Sequence, residues 1–189
     1  MQLELWGRQP TTRHNVFFGL SVPAAEAGRI AHLMQGIVES RRLRAARRPA
    51  ALLHVSLVGV GDFTGPLPVG MIEAAKAGVS TLRIAPFDVT FSTVARFGGD
   101  AIVVRACTSD GALVAFREAL RLALWKAGVR LPEKSARNGF SPHVTMAYGD
   151  WVPEFSVDPI SWTVNEFVLI DSWVKQSKHV ALGRWPLSA

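Results

Sequence analysis

Apolar positions alternate with polar ones in some stretches of the chain and recur every three to four residues in others, and these two periods divide it into strands and helices. Residues 15–22 alternate loosely, as a strand does when one face is buried. Residues 24–46 read as a helix that begins after Pro23, carries Glu26 in its first turn and closes in arginines. Residues 52–60 are extended again and end in the turn-rich Gly61-Asp62-Phe63-Thr64-Gly65-Pro66. A short helix is expected over 69–77, followed by a hairpin of 87–97 and 101–107 around Gly98-Gly99-Asp100. Residues 111–127 form the clearest helix, with Leu113, Phe116, Leu120, Leu124 and Ala127 at helical spacing and Gly128 as its stop. A polar connection at 130–139 leads to a strand at 140–148, and 162–173 and 179–185 read as two more strands.

A helix followed by a short connection and a strand thus occurs twice, and each of those strands carries the same tetrapeptide form. The first is His54-Val55-Ser56-Leu57 and the second His143-Val144-Thr145-Met146. Successive side chains of a strand point to opposite faces, so His54 shares a face with Ser56, and His143 with Thr145. The two histidines stand close to half the chain apart, which fits a duplicated unit, although no residue-level repeat extends beyond the motifs. Composition alone produces two such matches in roughly one sequence per hundred. A lone strand histidine among apolar neighbours is usually structural, but a matched pair reverses that preference. His179-Val180-Ala181-Leu182 has the same apolar frame without the hydroxyl; His179 is read as an ordinary strand histidine that can border a site.

Composition sets the limits. The 189 residues, 49% hydrophobic with a mean hydropathy of +0.20, suffice for one large domain or two small lobes sharing a cleft. No run approaches eighteen apolar residues and the polar start lacks a signal-peptide core, so the expectation is a cytoplasmic protein with no membrane partner. The only cysteine, Cys107, ends an apolar run and reads as a buried free thiol; an internal disulfide and a multi-cysteine metal site are excluded. A net charge of +6 and a pI near 10.2 favour polyanionic partners. The sharpest cluster, Arg41, Arg42, Arg44, Arg47 and Arg48, reads first as a solvated helix end and second as a phosphate attractor.

Two imidazoles and two hydroxyls suit acid/base chemistry on a phosphodiester. Opening a cyclic phosphodiester needs a base to take a proton from water and, in line on the other side, an acid to protonate the leaving ribose oxygen. Histidine serves both roles near neutral pH. Ser56 and Thr145 are fixed donors for the charge that develops on the equatorial oxygens, and no metal or other cofactor is needed. Arg137 and Lys134, on the loop before the second motif, are further phosphate-binding candidates, Arg137 the better of them, beside the alternative of solvated loop cations. Phe17, Phe140 and Tyr148 are candidates for stacking on bases, and Trp151 a further one; strand aromatics also belong to cores. The glycines around Gly59-Val60-Gly61 lack the spacing of a dinucleotide fingerprint, and no nucleophile elbow surrounds any serine.

The paired motifs, with Val16-Phe17-Phe18-Gly19-Leu20 before Pro23, Phe140-Ser141-Pro142 before the second histidine and Leu182-Gly183-Arg184-Trp185-Pro186-Leu187 near the end, resemble the 2H phosphoesterase superfamily. The resemblance is greatest to its branch of RNA 2′,3′-cyclic phosphodiesterases and 2′-5′ RNA ligases. It implies an α+β, bilobal fold of two antiparallel sheets facing a central groove with helices outside. The chain, 1–189, would then be a single bilobal domain with a first lobe core at about 15–80, a second at about 87–160 and closing strands at about 162–187. It also implies a metal-independent enzyme acting on 2′,3′-cyclic phosphate ends of RNA, or on small cyclic or 2′-5′-linked nucleotides, to leave a 2′-phosphate, with ligation as the reverse. His54 would be the acid and His143 the base, although geometry can exchange them. RNA ends or small nucleotides are the expected partners, with no obligatory protein partner. Ser56 stands where the branch more often has Thr, and Val58-Gly59-Val60-Gly61 is smaller than its usual aromatic-containing segment. The alternative is a non-catalytic RNA- or nucleotide-binding module.

Overall fold

A computed structural model describes residues 11–106, 111–136 and 139–188. Among these, nine strands and four α-helices follow one another as β1 (Arg13–Ser21), α1 (Ala24–Arg41), β2 (Ala45–Arg47), β3 (His54–Thr64), α2 (Val69–Val79), β4 (Phe87–Phe97), β5 (Ala101–Ala106), α3 (Gly111–Lys126), α4 (Glu133–Ala136), β6 (His143–Gly149), β7 (Phe155–Val164), β8 (Glu166–Trp173) and β9 (Lys178–Pro186). The strands are antiparallel, in the order β7-β4-β5-β6-β3-β1-β8-β9, with β2 added on β6.

The two sheets expected from the sequence are its two halves, β7-β4-β5-β6 and β3-β1-β8-β9. They meet at one register pair, Val55 opposite Val144, which makes the whole a continuous sheet. Both residues are second in their tetrapeptides, so the seam lies on an approximate two-fold axis relating β1-α1-β3 to β5-α3-β6. One backbone pair is a slender joint, and the helices reinforce it. Helix α1 lies against β6 and β7, and α3 against β3 and β4, so each crosses the seam. Ile30 and Met34 of α1 and Leu113, Leu120 and Leu124 of α3 are fully buried with Val55 and Val144 in the main core. A fully buried aliphatic side chain of this size contributes about 1.5–3 kcal/mol. The helices cover one face of the sheet. The opposite face carries two smaller apolar clusters, Phe17, Val168 and Ile170 on one half and Ala95, Ala101 and Val103 on the other.

Several boundaries differ from the sequence reading. The helix expected over 24–46 stops at Arg41, because Arg42 adopts the left-handed conformation (φ 52°) and its N–H closes the last turn. Residues 45–47 then become a strand, whose pairing with β6 outweighs their helical propensity. The turn expected after residue 60 comes later, since β3 continues to Thr64 against β1. The strand expected over 162–173 is two strands in different halves, broken at Asn165; β7 was hidden because Asp158 and Pro159 interrupt its alternation. A single helical turn, α4, interrupts the polar connection. Cys107 and Arg137 lie outside the described residues.

Candidate active site

Each motif strand carries a bulge at the same place, three residues after its histidine, and β3 has a second one at Val60. Along β3 the register with β1 passes from Val58 to Ser56 and leaves Leu57 unpaired; along β6 the register with β5 passes from Ala147 to Thr145 and leaves Met146 unpaired. A bulge inserts one residue and shifts the phase of alternation. Leu57 and Val58 are therefore both buried in the core, as are Met146 and Ala147, while the residues on either side remain on the helix-free face. The bulge carbonyls find different donors. Leu57 accepts from Nε of Arg117, a buried guanidinium of α3, at 3.1 Å, and Met146 accepts the backbone N–H of Arg48 at 2.8 Å.

Continuing the register from the Val55–Val144 pair sets His54 across from Thr145 and Ser56 across from His143, all four on the helix-free face. The histidines are then diagonal neighbours, at about 7–8 Å between their backbone positions in a regular ladder. The two rings are held alike. His54 Nδ1 donates to the carbonyl of Leu52 at 2.8 Å, and His143 Nδ1 donates to the carbonyl of Ser141 at 2.7 Å. A carbonyl can only accept, so both neutral rings carry their proton on Nδ1 and leave the Nε2 lone pair free. Phe17 lies tilted against His54, with ring centroids 4.8 Å apart, and Phe97 against His143 at 4.0 Å. Ser56 is exposed, and among the described residues neither its hydroxyl nor that of Thr145 has a hydrogen-bond partner.

Burial governs the electrostatics. Loss of solvent pushes His54 down to about 4, helped by the positive charge of Arg48 and by His179 and His143. His143 is also lowered by burial, against the pull of the Ser141 carbonyl, and His179 by burial and Arg48, against the pull of Asp171. All three rings favour the neutral form in the free protein.

The structure draws in two residues that the sequence reading left at the margin. His179 packs edge-on against His54, with centroids 5.1 Å apart, and its Nε2 accepts from Arg48 Nη2 at 3.4 Å. Arg48 also donates to the Tyr148 hydroxyl at 3.3 Å. Of the five clustered arginines, Arg48 alone joins this group: Arg44 pairs with Asp150, Arg41 lies over the Phe155 ring, and Arg47 reaches Gln35. Arg105, paired with Glu154, faces His143 across β5 and β6. Nothing in the motif spacing marks Arg48 or Arg105; only the pairing of β2 and β5 with β6 does.

The remaining candidates are dispersed. Lys134 is exposed and paired with Asp62 at 3.3 Å. Phe17 is buried against His54, the Phe140 ring is covered by the Arg117 guanidinium at 4.9 Å, and Tyr148 is 41% exposed beside Arg48. The small residues after the first motif have a packing reason. A Cβ on Gly59 would stand 2.8 Å from Ser135 Oγ, which accepts the Gly59 N–H, and one on Gly61 would meet the Phe63 ring at 2.5 Å. Gly59 occupies the position that Tyr148 holds in the other half, and the space a side chain would take there is filled by Ser135.

A family model for the 2′-5′ RNA ligase superfamily matches residues 22–174. The chain belongs to that superfamily. It is accordingly a member of the 2H phosphoesterases, a family of phosphoesterase and ligase enzymes. Among solved structures it is similar to E. coli LigT complexed with ATP (18% identity, TM-score 0.72, covering 94% of this chain and 99% of that one). LigT has also been crystallised with 3′-AMP, NADP+ and phosphate. TT0787 of Thermus thermophilus matches at 21% identity and a TM-score of 0.72 over 92% of this chain and 97% of that one. The MHV ns2 PDE domain matches at 18% and 0.54, over 87% and 99%. At these identities the likeness is one of fold. No curated protein matches the chain by sequence. Among the described residues no helix is long and apolar enough to cross a membrane, and no group of three or more His, Cys, Asp or Glu side chains is placed to hold a metal ion.

Proposed function

We propose that the chain is a cytoplasmic phosphodiesterase that opens 2′,3′-cyclic phosphate ends of RNA, or related cyclic or 2′-5′-linked nucleotides, to a 2′-phosphate through His54 and His143. The observation that carries this reading is the matched pair of imidazoles: same face, same Nδ1-to-carbonyl lock, both Nε2 atoms left free to exchange a proton. A cyclic phosphate seated between them has water on one side and the ribose 3′ oxygen on the other. One ring takes the water proton as the P–O bond to water forms, and the other gives its proton to the departing 3′ oxygen. Ser56 and Thr145 donate to the equatorial oxygens.

Both rings start neutral in the free protein, so the acid must be charged in the complex. The phosphodiester anion favours that charge by lying against the ring. Resemblance to the family makes His54 the acid, but its stronger desolvation argues for the exchange: the ring harder to protonate starts as base, and His143 carries the proton. Run in reverse, with an RNA 5′-hydroxyl in place of water, the site forms a 2′-5′ linkage. Nucleotides in the LigT crystals support a nucleotide ligand for this fold.

The test is incubation with nucleoside 2′,3′-cyclic monophosphates, followed by ³¹P NMR. A single 2′-phosphate product is expected, with turnover reduced by about 10²–10⁴ in His54→Ala or His143→Ala. Nucleotide binding without product in any buffer, chelator-free or metal-supplemented, would instead establish a non-catalytic binding module.

A further inference from the structure

Beside His179, away from His54, a cavity of about 440 Å³ opens between β2, the end of β6 and the turn joining β8 to β9. Its wall includes Arg47, Arg48, Lys175, Lys178, His179 and Tyr148, and no carboxylate among the described residues lines it. The nearest buried acid, Asp171, is already engaged: it accepts from His14 Nδ1 at 2.9 Å and from Trp173 Nε1 at 2.9 Å. Arg48 has no acidic partner among the described residues, and its Nε is buried without a hydrogen-bond partner. A half-buried guanidinium held only by a phenol and a neutral imidazole lacks the anion that normally offsets its desolvation. Lys178 lies over the Trp173 ring, 3.7 Å from its centre, which holds its ammonium at the rim.

The cavity begins one side chain from the reacting position, because His179 touches His54 on one face and Arg48 on another. From this geometry we infer a second phosphate subsite: the cavity takes the phosphodiester immediately 5′ of the nucleotide whose cyclic phosphate lies between His54 and His143. The inference rests on the catalytic reading for the register of the two phosphates. It narrows the substrate class to oligonucleotide ends, in preference to free nucleoside 2′,3′-cyclic monophosphates, which carry no phosphate on their 5′ side. Among the described residues Arg48, Lys175 and Lys178 have no acidic partner, while Arg44, Arg105, Arg184 and Lys76 are matched with acids elsewhere.

The test uses products, which the enzyme does not consume. Dissociation constants of a nucleoside 2′-phosphate and of a dinucleotide ending in a 2′-phosphate are measured by calorimetry across a salt series. The dinucleotide is expected to bind about tenfold tighter, equivalent to about 1.4 kcal/mol, with a salt dependence steeper by about one released counterion. A methylphosphonate linkage, which removes the bridging charge, should abolish the gain, and Lys175→Ala/Lys178→Ala should reduce it to within about twofold of the mononucleotide. Equal affinities, or a gain that survives the neutral linkage, would overturn the subsite, whatever the fate of the double variant. Turnover of the two cyclic phosphates is scored separately: an affinity gain without turnover removes the catalytic reading and keeps the subsite, and turnover without the gain does the opposite.

Discussion

Burial of His54 makes the fold sensitive to acid in a calculable way. In the unfolded chain this imidazole has its ordinary value of 6.5; in the native chain desolvation holds it at about 4. Between those limits the unfolded state binds a proton that the native state does not, so stability is intact above about 6.5 and is lost as pH falls toward 4. At 1.36 kcal/mol per pH unit, the difference amounts to about 3 kcal/mol at pH 4. That is a large share of the 5–15 kcal/mol typical of a domain. The measurement is urea unfolding, followed by tryptophan fluorescence, at intervals from pH 7.5 to 4 for the wild type and His54→Gln, which keeps a donor for the Leu52 carbonyl. Carboxylates, His143 and His179 titrate in both proteins, so their contributions largely cancel in the comparison. The wild type should lose about 3 kcal/mol more than the variant over this range. Curves that remain parallel to within about half a kcal/mol would show that His54 is solvated, and the neutral-ring argument would fall with it.

Three other outcomes are expected. Because burial lowers both catalytic imidazoles in the free enzyme, kcat/KM should be bell-shaped with its maximum below pH 6.5, while kcat peaks at higher pH because the bound anion restores a proton; a kcat/KM maximum above 7 would contradict this. Ser56→Ala and Thr145→Val should each lower kcat by about 10²-fold with a smaller effect on KM, and rates within twofold of wild type would remove the hydroxyls from the mechanism. Gly149 admits the Arg44 carbonyl at a point where a Cβ would overlap its oxygen; Gly149→Ala should therefore cost about 1–3 kcal/mol in urea unfolding by driving β2 off β6, and an unchanged midpoint would show that the strand shifts freely.

The motif strands were legible because each compresses its information into four residues: alternation aims His54 with Ser56 and His143 with Thr145, and the apolar partners Val55 and Val144 point into the core. The bulges were not legible, since Leu57 and Met146 look like ordinary alternating residues, and only their failure to pair with β1 and β5 reveals the phase shift. That shift brings Tyr148 to the site face. Arg48 was obscured for another reason: its neighbours continue a helical pattern, and the short strand β2 exists by tertiary pairing alone. His179 lacks the hydroxyl of the motifs, and its role comes from β9 being carried by β8 and β1 to the side of β3 that holds His54. The break at Asn165 separates strands of two halves in a run of similar β-propensity, which local pattern does not divide.

The most direct test of the two-histidine account is a crystal structure with a nucleoside vanadate, whose five-coordinate vanadium mimics phosphorus in mid-transfer. The account predicts His54 Nε2 and His143 Nε2 within about 2.6–3.2 Å of the two apical oxygens, on opposite sides of the metal centre. Vanadate contacting one ring alone, or both rings from the same side, would contradict it.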